Sequence, residues 1–132
     1  MTITYCADRA PGVDQVIDLY HSAGLERPIT DRARMATICE NTPFWATAWL
    51  GEQLVGVARC LTDFRFCCYL SDLAVREEHK RQGVGKQLLA LTRQHLGEEC
   101  MILLLSVPAA MEYYPMSGMS AVDDGFAWQR TK

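Results

Sequence analysis

The segment Leu73–Leu89 joins an apolar strand, a short basic loop and an amphipathic helix, and it constrains this chain more than any other part of the sequence. Two glycines in the loop let a ligand approach the backbone closely. The first N–H groups of the helix have no partner within the helix, and the positive end of the helix dipole attracts anions. Basic side chains add charge-assisted hydrogen bonds at the same point: Lys80, Arg81 and Lys86. The segment therefore predicts a phosphate site at a strand-to-helix junction.

The composition is that of an ordinary globular chain with a slight acidic excess. The 132 residues are 49% hydrophobic and 22% charged, which predicts one domain spanning residues 1–132. Thirteen basic and sixteen acidic residues give a formal net charge of -3, which argues against a general binder of nucleic-acid backbones. No apolar run approaches the roughly 20 residues that cross a bilayer, and the start has no signal-peptide core. We expect a cytoplasmic protein with no membrane or nucleic-acid partner.

The cysteines and histidines show no metal-binding or disulfide pattern. The six cysteines contain no C-x-x-C pair, and the three histidines are scattered without ligand spacing. We assign no metal, and we expect the thiols to be reduced and buried as small hydrophobic groups. For Cys67 and Cys68, core packing is favoured over a catalytic thiol.

Hydrophobic periodicity and turn residues predict an alternation of helices and strands without internal repeats. Helices are predicted from Val13 to just before Gly24, from Thr30 or Asp31 to before Thr42, from Val84 to Leu96, and from Pro108 toward Tyr114. Strands are predicted at 3–6, 44–50, 53–61, 66–75, 100–107 and 126–130. The segment 100–107 is nearly all apolar, which is typical of a parallel strand that is covered on both faces.

Residue spacing separates the phosphate-binding families that have such a loop. A dinucleotide-binding fingerprint needs a third glycine where Leu88 stands, and a Walker A loop needs Ser or Thr where Gln87 follows Lys86. Both patterns fail. What remains resembles the acyl-CoA loop of the GNAT (GCN5-related N-acetyltransferase) superfamily: Gln or Arg, two residues, Gly, one residue, then Gly or Ala. Residues 80–85 match this pattern except that Lys80 takes the place of Gln or Arg.

A second segment looks like the same family. Residues 110–119 are similar to the family's alanine, tyrosine and glycine segment, and they put Tyr114 at the family's tyrosine. The resemblance covers residues 44–119. It implies an α/β (α+β) fold with a mixed, mostly antiparallel sheet flanked by helices and a splayed parallel strand pair, whose strands would end near Val75 and Val107. It also implies acetyl-CoA as the acetyl donor and a primary amine as the acceptor.

By this resemblance, the backbone recognises the acetyl donor. The N–H of Leu73 would bond the thioester oxygen, Val75 would pair with the pantetheine amides, and the N–H groups from Arg81 to Lys86 would hold the pyrophosphate. The implied cofactor-binding residues are Leu73, Ala74, Val75, Lys80, Arg81, Gln82, Gly83, Val84, Gly85 and Lys86.

The resemblance also implies catalytic roles. The amine would attack the acetyl carbon directly, with the Leu73 N–H stabilising the developing oxyanion, and Tyr114 would protonate the departing thiolate. The base for the amine is open between Asp72, Glu112 and water. Asp72 also has a structural interpretation, because strand side chains alternate between two faces. Tyr113 would lie about 100° away from Tyr114 around a helix, and it is expected to be a core residue.

The acceptor side should be formed by the first two helices and the strand hairpin. Trp45, Thr47 and Trp49 share one strand face, so they form either an aromatic wall or core against a helix, and core is favoured. Acidic side chains in this region either attract a cationic amine or are simply solvated: Glu26, Asp31 and Glu40. The sequence leaves open the identity of the acceptor, the formation of a homodimer, and a catalytically silent acyl-CoA-binding module as the alternative to an enzyme.

Overall fold

The structure is a computed structural model that describes residues 2–132, so one residue of the predicted domain, Met1, lies outside the described residues. Its α-helices are α1 (Val13–Ala23), α2 (Arg32–Glu40), α3 (Val84–Leu96) and α4 (Tyr113–Met116). Its strands are β1 (Thr4–Cys6), β2 (Phe44–Leu50), β3 (Gln53–Thr62), β4 (Cys67–Val75) and β5 (Met101–Leu103). The predicted elements up to Leu96 are confirmed to within two residues at each end. Between residues 2 and 132, no helix is long and apolar enough to cross a membrane.

The strands form one sheet in the order β1-β2-β3-β4-β5. Neighbouring strands are antiparallel except β4 and β5, which are parallel and are connected through α3. A parallel pair needs a crossover of about a dozen residues or more, and α3 supplies it. This is the mixed, mostly antiparallel sheet that the family resemblance implied.

Helices cover both faces of the sheet, and strand residues alternate between two cores. In β2, Trp45 and Trp49 pack with α1 and α2, whereas Phe44 packs with α3 on the opposite face. Thr47 is fully buried and accepts a hydrogen bond of 2.8 Å from Trp49 Nε1. The interpretation of these β2 residues as core is therefore confirmed, and they form no aromatic wall for an acceptor.

Gly56 of β3 lies directly beneath α3. A Cβ atom at this position would lie 3.0 Å from Leu88 Cδ1 and 3.1 Å from Val84 Cγ1. Because both helix side chains are buried, Gly56→Ala should lower the free energy of unfolding by about 1–3 kcal/mol, measured by urea denaturation. Gly125→Ala is the control, since a Cβ there would meet nothing within 4 Å. Equal stability of the two variants would contradict this tight packing of α3.

Two predictions near the C-terminal end of the chain are wrong. The strand expected at 100–107 shortens to β5 and is not covered on both faces, since Met101 is 62% and Leu105 is 71% exposed. The strand expected at 126–130 does not form, and Phe126 and Trp128 are fully exposed. A strand is stable only where neighbouring backbone satisfies its N–H and C=O groups, and a segment's apolar composition does not supply that neighbour.

The six cysteines are free thiols, but they are not all buried as expected. Cys68 lies in the core under α3, whereas Cys67 is exposed because successive strand residues face opposite sides. The neighbouring carboxylate of Asp63 raises the pKa of the Cys67 thiol. A raised pKa disfavours the thiolate, so Cys67 has the environment of an unreactive thiol.

Candidate functional site

The parallel strands β4 and β5 pair over a short stretch and then separate. The pairs run from Cys67 with Met101 to Tyr69 with Leu103. β4 continues to Val75 and stays paired with β3 on its other side. From residue 70 to residue 75, one edge of β4 therefore has no strand neighbour within the described chain. This is the splayed parallel pair that the resemblance implied.

The backbone groups of Leu73 and Val75 point into this opening. The Arg76 N–H donates to Val55 O on β3 at 2.8 Å. Because antiparallel partners alternate between hydrogen-bonded and non-hydrogen-bonded pairs, Ala74 bonds β3, whereas Leu73 and Val75 direct their N–H and C=O groups to the open edge. Ala74 is also buried, so it is the one predicted β4 residue without a free backbone group for a ligand.

The loop after β4 is fastened to α1. Arg76 is buried, and its guanidinium donates to Asp18 at 2.7 Å. Lys80 Nζ donates to Ala23 O at 2.8 Å and forms an ion pair with Glu77. The Lys80 ammonium therefore binds the C-terminal end of α1, where a cation is favoured. It is not free to bind a phosphate, although the sequence suggested that role.

The N-terminus of α3 presents N–H groups without a side-chain cap. Gly83 stands before the helix with a φ of 84°, and Arg81 has a φ of 64°. These left-handed conformations turn the loop around the helix start. Val84 is in the core, so only its N–H can serve a ligand. Among the predicted cofactor-binding residues, three have exposed side chains: Arg81 and Gln82 of the loop and Lys86 of α3. The loop thus has the arrangement of an anion site.

Two neighbouring tyrosines of α4 differ in environment. The Tyr113 hydroxyl lies 3.0 Å from the place where a Cβ of Gly85 would stand, over the first turn of α3. Tyr113 is 37% exposed, so the core role expected for it is wrong. Tyr114 is half-buried, and desolvation, followed by the proximity of Tyr113, raises its pKa above the usual value. A raised pKa keeps the phenol protonated at neutral pH, as a proton donor requires.

A cavity of about 820 Å³ adjoins the opening on the α3 side of the sheet. Its apolar wall includes Leu70 of β4 and Ile102 of β5, and its basic side includes Lys86 and Arg93 of α3. The volume is that of a small-molecule site, and Lys86 connects the cavity with the N-terminus of α3. Leu70 and Lys86 place the cavity next to the first residue of the open β4 edge and next to the first turn of α3.

Asp72 lies at the centre of an ionic cluster on the opposite face of the sheet. Its side chain is 1% exposed and accepts hydrogen bonds from Tyr20 at 2.6 Å, Arg27 at 2.7 Å and Arg59. Burial acts to raise the pKa of Asp72, but the hydrogen bond from Tyr20 and the two guanidinium groups outweigh it and hold the pKa below its usual value. Both carboxylate oxygens are engaged, which favours the structural interpretation of Asp72 over a base.

A β-bulge places this cluster beside Leu73. The register of β3 and β4 skips Ser71. Its hydroxyl accepts a hydrogen bond from Arg59 at 2.8 Å, and its carbonyl accepts one from Arg27 at 3.0 Å. Bulges re-aim side chains beside active sites, and this one brings the guanidinium of Arg27 to the start of the open edge.

Three members of the cluster were not predicted as functional residues from the sequence: Tyr20, Arg27 and Arg59. The sequence does contain an indication for Arg59, because it is a charged residue within a mostly apolar strand. The contacts of Tyr20 and Arg27 with Asp72 span 52 and 45 positions, so no local pattern could indicate them.

The other candidate acids lie at the surface. Asp31 accepts a hydrogen bond from the Arg34 N–H at 3.1 Å and caps α2. The remaining side chains are exposed: Glu26, Glu40 and Glu112. Within the described part of the chain, no three His, Cys, Asp or Glu side chains come together as a metal site would need.

Comparison with known proteins gives one family and one fold. A model of the Acetyltransferase (GNAT) family matches residues 13–119. No curated protein gives a significant match. Among solved structures, a protein of unknown function from meticillin-resistant Staphylococcus aureus is 18% identical with a TM-score of 0.82, and 99% of each chain is covered.

Two further structures are described as acetyltransferases. A GNAT family protein from Streptococcus pneumoniae TIGR4 is 20% identical with a TM-score of 0.77, and the match covers 99% of this chain and 100% of that one. An aminoglycoside acetyltransferase from an uncultured soil metagenomic sample is 22% identical with a TM-score of 0.73, and the match covers 99% of this chain and 95% of that one.

The fold, with its open parallel pair beside a helix N-terminus, is that of acetyltransferases. The chain belongs to the GNAT acetyltransferase family, since the family model matches most of its length. The resemblance carried by residues 80–85 and 110–119 is thereby confirmed.

Proposed function

We propose that this protein transfers the acetyl group of acetyl-CoA to a primary amine, which attacks the acetyl carbon directly. The observation that carries the proposal is the open edge of β4, where Leu73 and Val75 present free backbone groups close to the uncapped start of α3. A strand edge suits the amide-containing pantetheine arm, because it offers main-chain hydrogen bonds. A helix N-terminus suits the pyrophosphate.

Each group of the site has a role in this reaction. The Leu73 N–H would donate to the thioester oxygen, and a donor fixed in place before charge develops is typically worth about 3–4 kcal/mol of barrier. Exposed Arg81 and Lys86 would neutralise phosphates. Tyr114 would protonate the departing thiolate, because its phenol is protonated at neutral pH and has a proton to donate. Asp72 is a positioning residue, since it holds the strand beside Leu73 and has no free oxygen for the amine.

The function is tested by calorimetric titration with acetyl-CoA and by CoA release with a panel of primary amines. Binding together with amine-dependent release supports the proposal. Binding without release on any amine, above slow hydrolysis, would identify a silent acyl-CoA-binding module instead. If acetyl-CoA does not bind, both functions are refuted.

The variant Gly85→Val should raise the Kd for acetyl-CoA by about tenfold or more, because it disturbs charge-assisted hydrogen bonds at the start of α3. The added side chain fills the space between α3 and Tyr113, whose hydroxyl would be 3.0 Å from a Cβ. Titration of the folded variant measures the change. Gly125→Val adds the same group where nothing lies within 4 Å of a Cβ, so its Kd should equal the wild-type value. An unaltered Kd in Gly85→Val would show that the phosphates of acetyl-CoA do not bind at the start of α3.

A further inference from the structure

Arg27 brings a cation from the loop between α1 and α2 to the open edge of β4. Its Nε donates to Asp72 at 2.7 Å, and its Nη2 donates to Ser71 O at 3.0 Å. The side chain keeps 30% exposure, whereas the side chain of Arg59 in the same cluster keeps 10%. Arg27 is therefore the member of the cluster that a ligand can reach.

The cluster has more positive than negative charge. Within residues 2–132, Asp72 is the one carboxylate at ion-pair distance from Arg27 or Arg59. Tyr20 adds no charge, since burial and the neighbouring Asp72 raise its pKa well above the usual value. Two guanidinium groups thus face one carboxylate. An unbalanced charge is costly in a partly buried place, and an anion from outside would balance it.

Arg27 also has hydrogen-bond donors to spare. A guanidinium has five N–H groups, and three of these groups bond Asp72, Ser71 O and the backbone carbonyl of Glu26. The remaining donors suit a carboxylate or a phosphate, which arginine binds through its planar fork. Charge, exposure and free donors all favour an anionic group at this point.

The position of Arg27 relates this anion to the acceptor. Ser71 precedes Leu73 by two strand residues, a distance of about 7 Å. We propose that Arg27 binds the carboxylate or phosphate of the acceptor, so that the acceptor is a small primary amine with an anionic group. This inference rests on the proposed function, because the Leu73 N–H marks where the acetyl group lies. The acidic residues that could attract a cationic amine are exposed and lie outside the cluster: Glu26, Asp31 and Glu40.

The specificity is tested with pairs of amines that differ in the anion: 2-aminoethyl phosphate with ethanolamine, and 4-aminobutanoate with butylamine. In the wild type, kcat/KM for CoA release should be about ten- to hundredfold higher for the anionic member. Arg27→Gln should bring the ratio close to one, mainly through KM, and Arg27→Lys should keep part of the preference. The control Arg34→Gln removes an exposed arginine of α2 outside the cluster and should keep the wild-type ratio. A wild-type preference for butylamine or 1,4-diaminobutane would overturn the inference.

A binding measurement separates this inference from the proposed function. If no amine releases CoA, the proposed function fails, and calorimetric titration with 2-aminoethyl phosphate decides the anion site alone. Binding to the wild type that is lost in Arg27→Gln and partly kept in Arg27→Lys supports the site. Equal binding to all variants, or no binding to the wild type, refutes it. Thermal unfolding shows whether each variant is folded, and Arg27→Lys carries the test if Arg27→Gln is not.

Discussion

The variant Asp72→Ala is expected to lose about 3–5 kcal/mol of unfolding free energy, the largest stability change that we predict. The carboxylate is 1% exposed and lies between Arg27 and Arg59. Its removal leaves two guanidinium groups close together without a counter-charge, and the buried Tyr20 hydroxyl loses its acceptor. Urea denaturation followed by circular dichroism measures the loss.

The matched control for this substitution is Asp14→Ala. Asp14 also pairs with an arginine, Arg32, but the two side chains are 76% and 62% exposed. Water and salt screen such a pair, so the denaturation midpoint should stay nearly unchanged. If Asp72→Ala were as stable as Asp14→Ala, the cluster would have to be open to water, contrary to the structure.

The Asp72 contacts also give this stabilisation a pH dependence. Burial would raise the pKa of Asp72, but the hydrogen bond from Tyr20 and the arginines hold it below the unfolded-state value of about 3.9. The folded state therefore binds this proton less readily than the unfolded state. The stabilisation is complete above the unfolded-state pKa and is lost as the pH falls through the folded-state pKa. The stability difference between wild type and Asp72→Asn should accordingly shrink in acid.

The variant Tyr114→Phe is expected to lower kcat by about a hundredfold, with little change in the Kd for acetyl-CoA. General acid catalysis typically contributes about 10²–10⁴ in rate, and a thiolate that leaves without a proton is the poorer leaving group. The raised pKa of Tyr114 keeps the proton available through neutral pH. Steady-state CoA release with a good amine acceptor measures kcat, and the fall of activity at high pH should disappear in the variant.

The matched control is Tyr113→Phe, which removes the same oxygen from the adjacent residue. The Tyr113 hydroxyl lies over Gly85, so its loss should change the KM for acetyl-CoA more than kcat. If kcat falls in Tyr113→Phe and not in Tyr114→Phe, the proton donor is Tyr113 and the role assigned to Tyr114 is refuted.

Local sequence signals were sufficient for most elements and for the family. Gly24 ends α1 with a φ of 73°, and Asp31 caps α2, both within a few residues of the helices that they limit. The glycine-bearing loop before α3 identified the family for a similar reason, since a helix start that binds an anion is built from consecutive residues. Predictions of this kind succeed because neighbours in the chain remain neighbours in the fold.

The sequence by itself therefore determined the order of the elements up to Leu96 and the loop at the start of α3, and its family resemblance implied the parallel strand pair. Only the tertiary structure decided that Lys80 is bound to the end of α1, that Tyr113 lies over α3, and that the segment 126–130 forms no strand. It alone brought Arg27 and Arg59 to Asp72 beside the open edge of β4. These outcomes depend on surfaces that meet across tens of residues, and hydrogen-bond partners and burial at such distances leave no periodic trace in the chain.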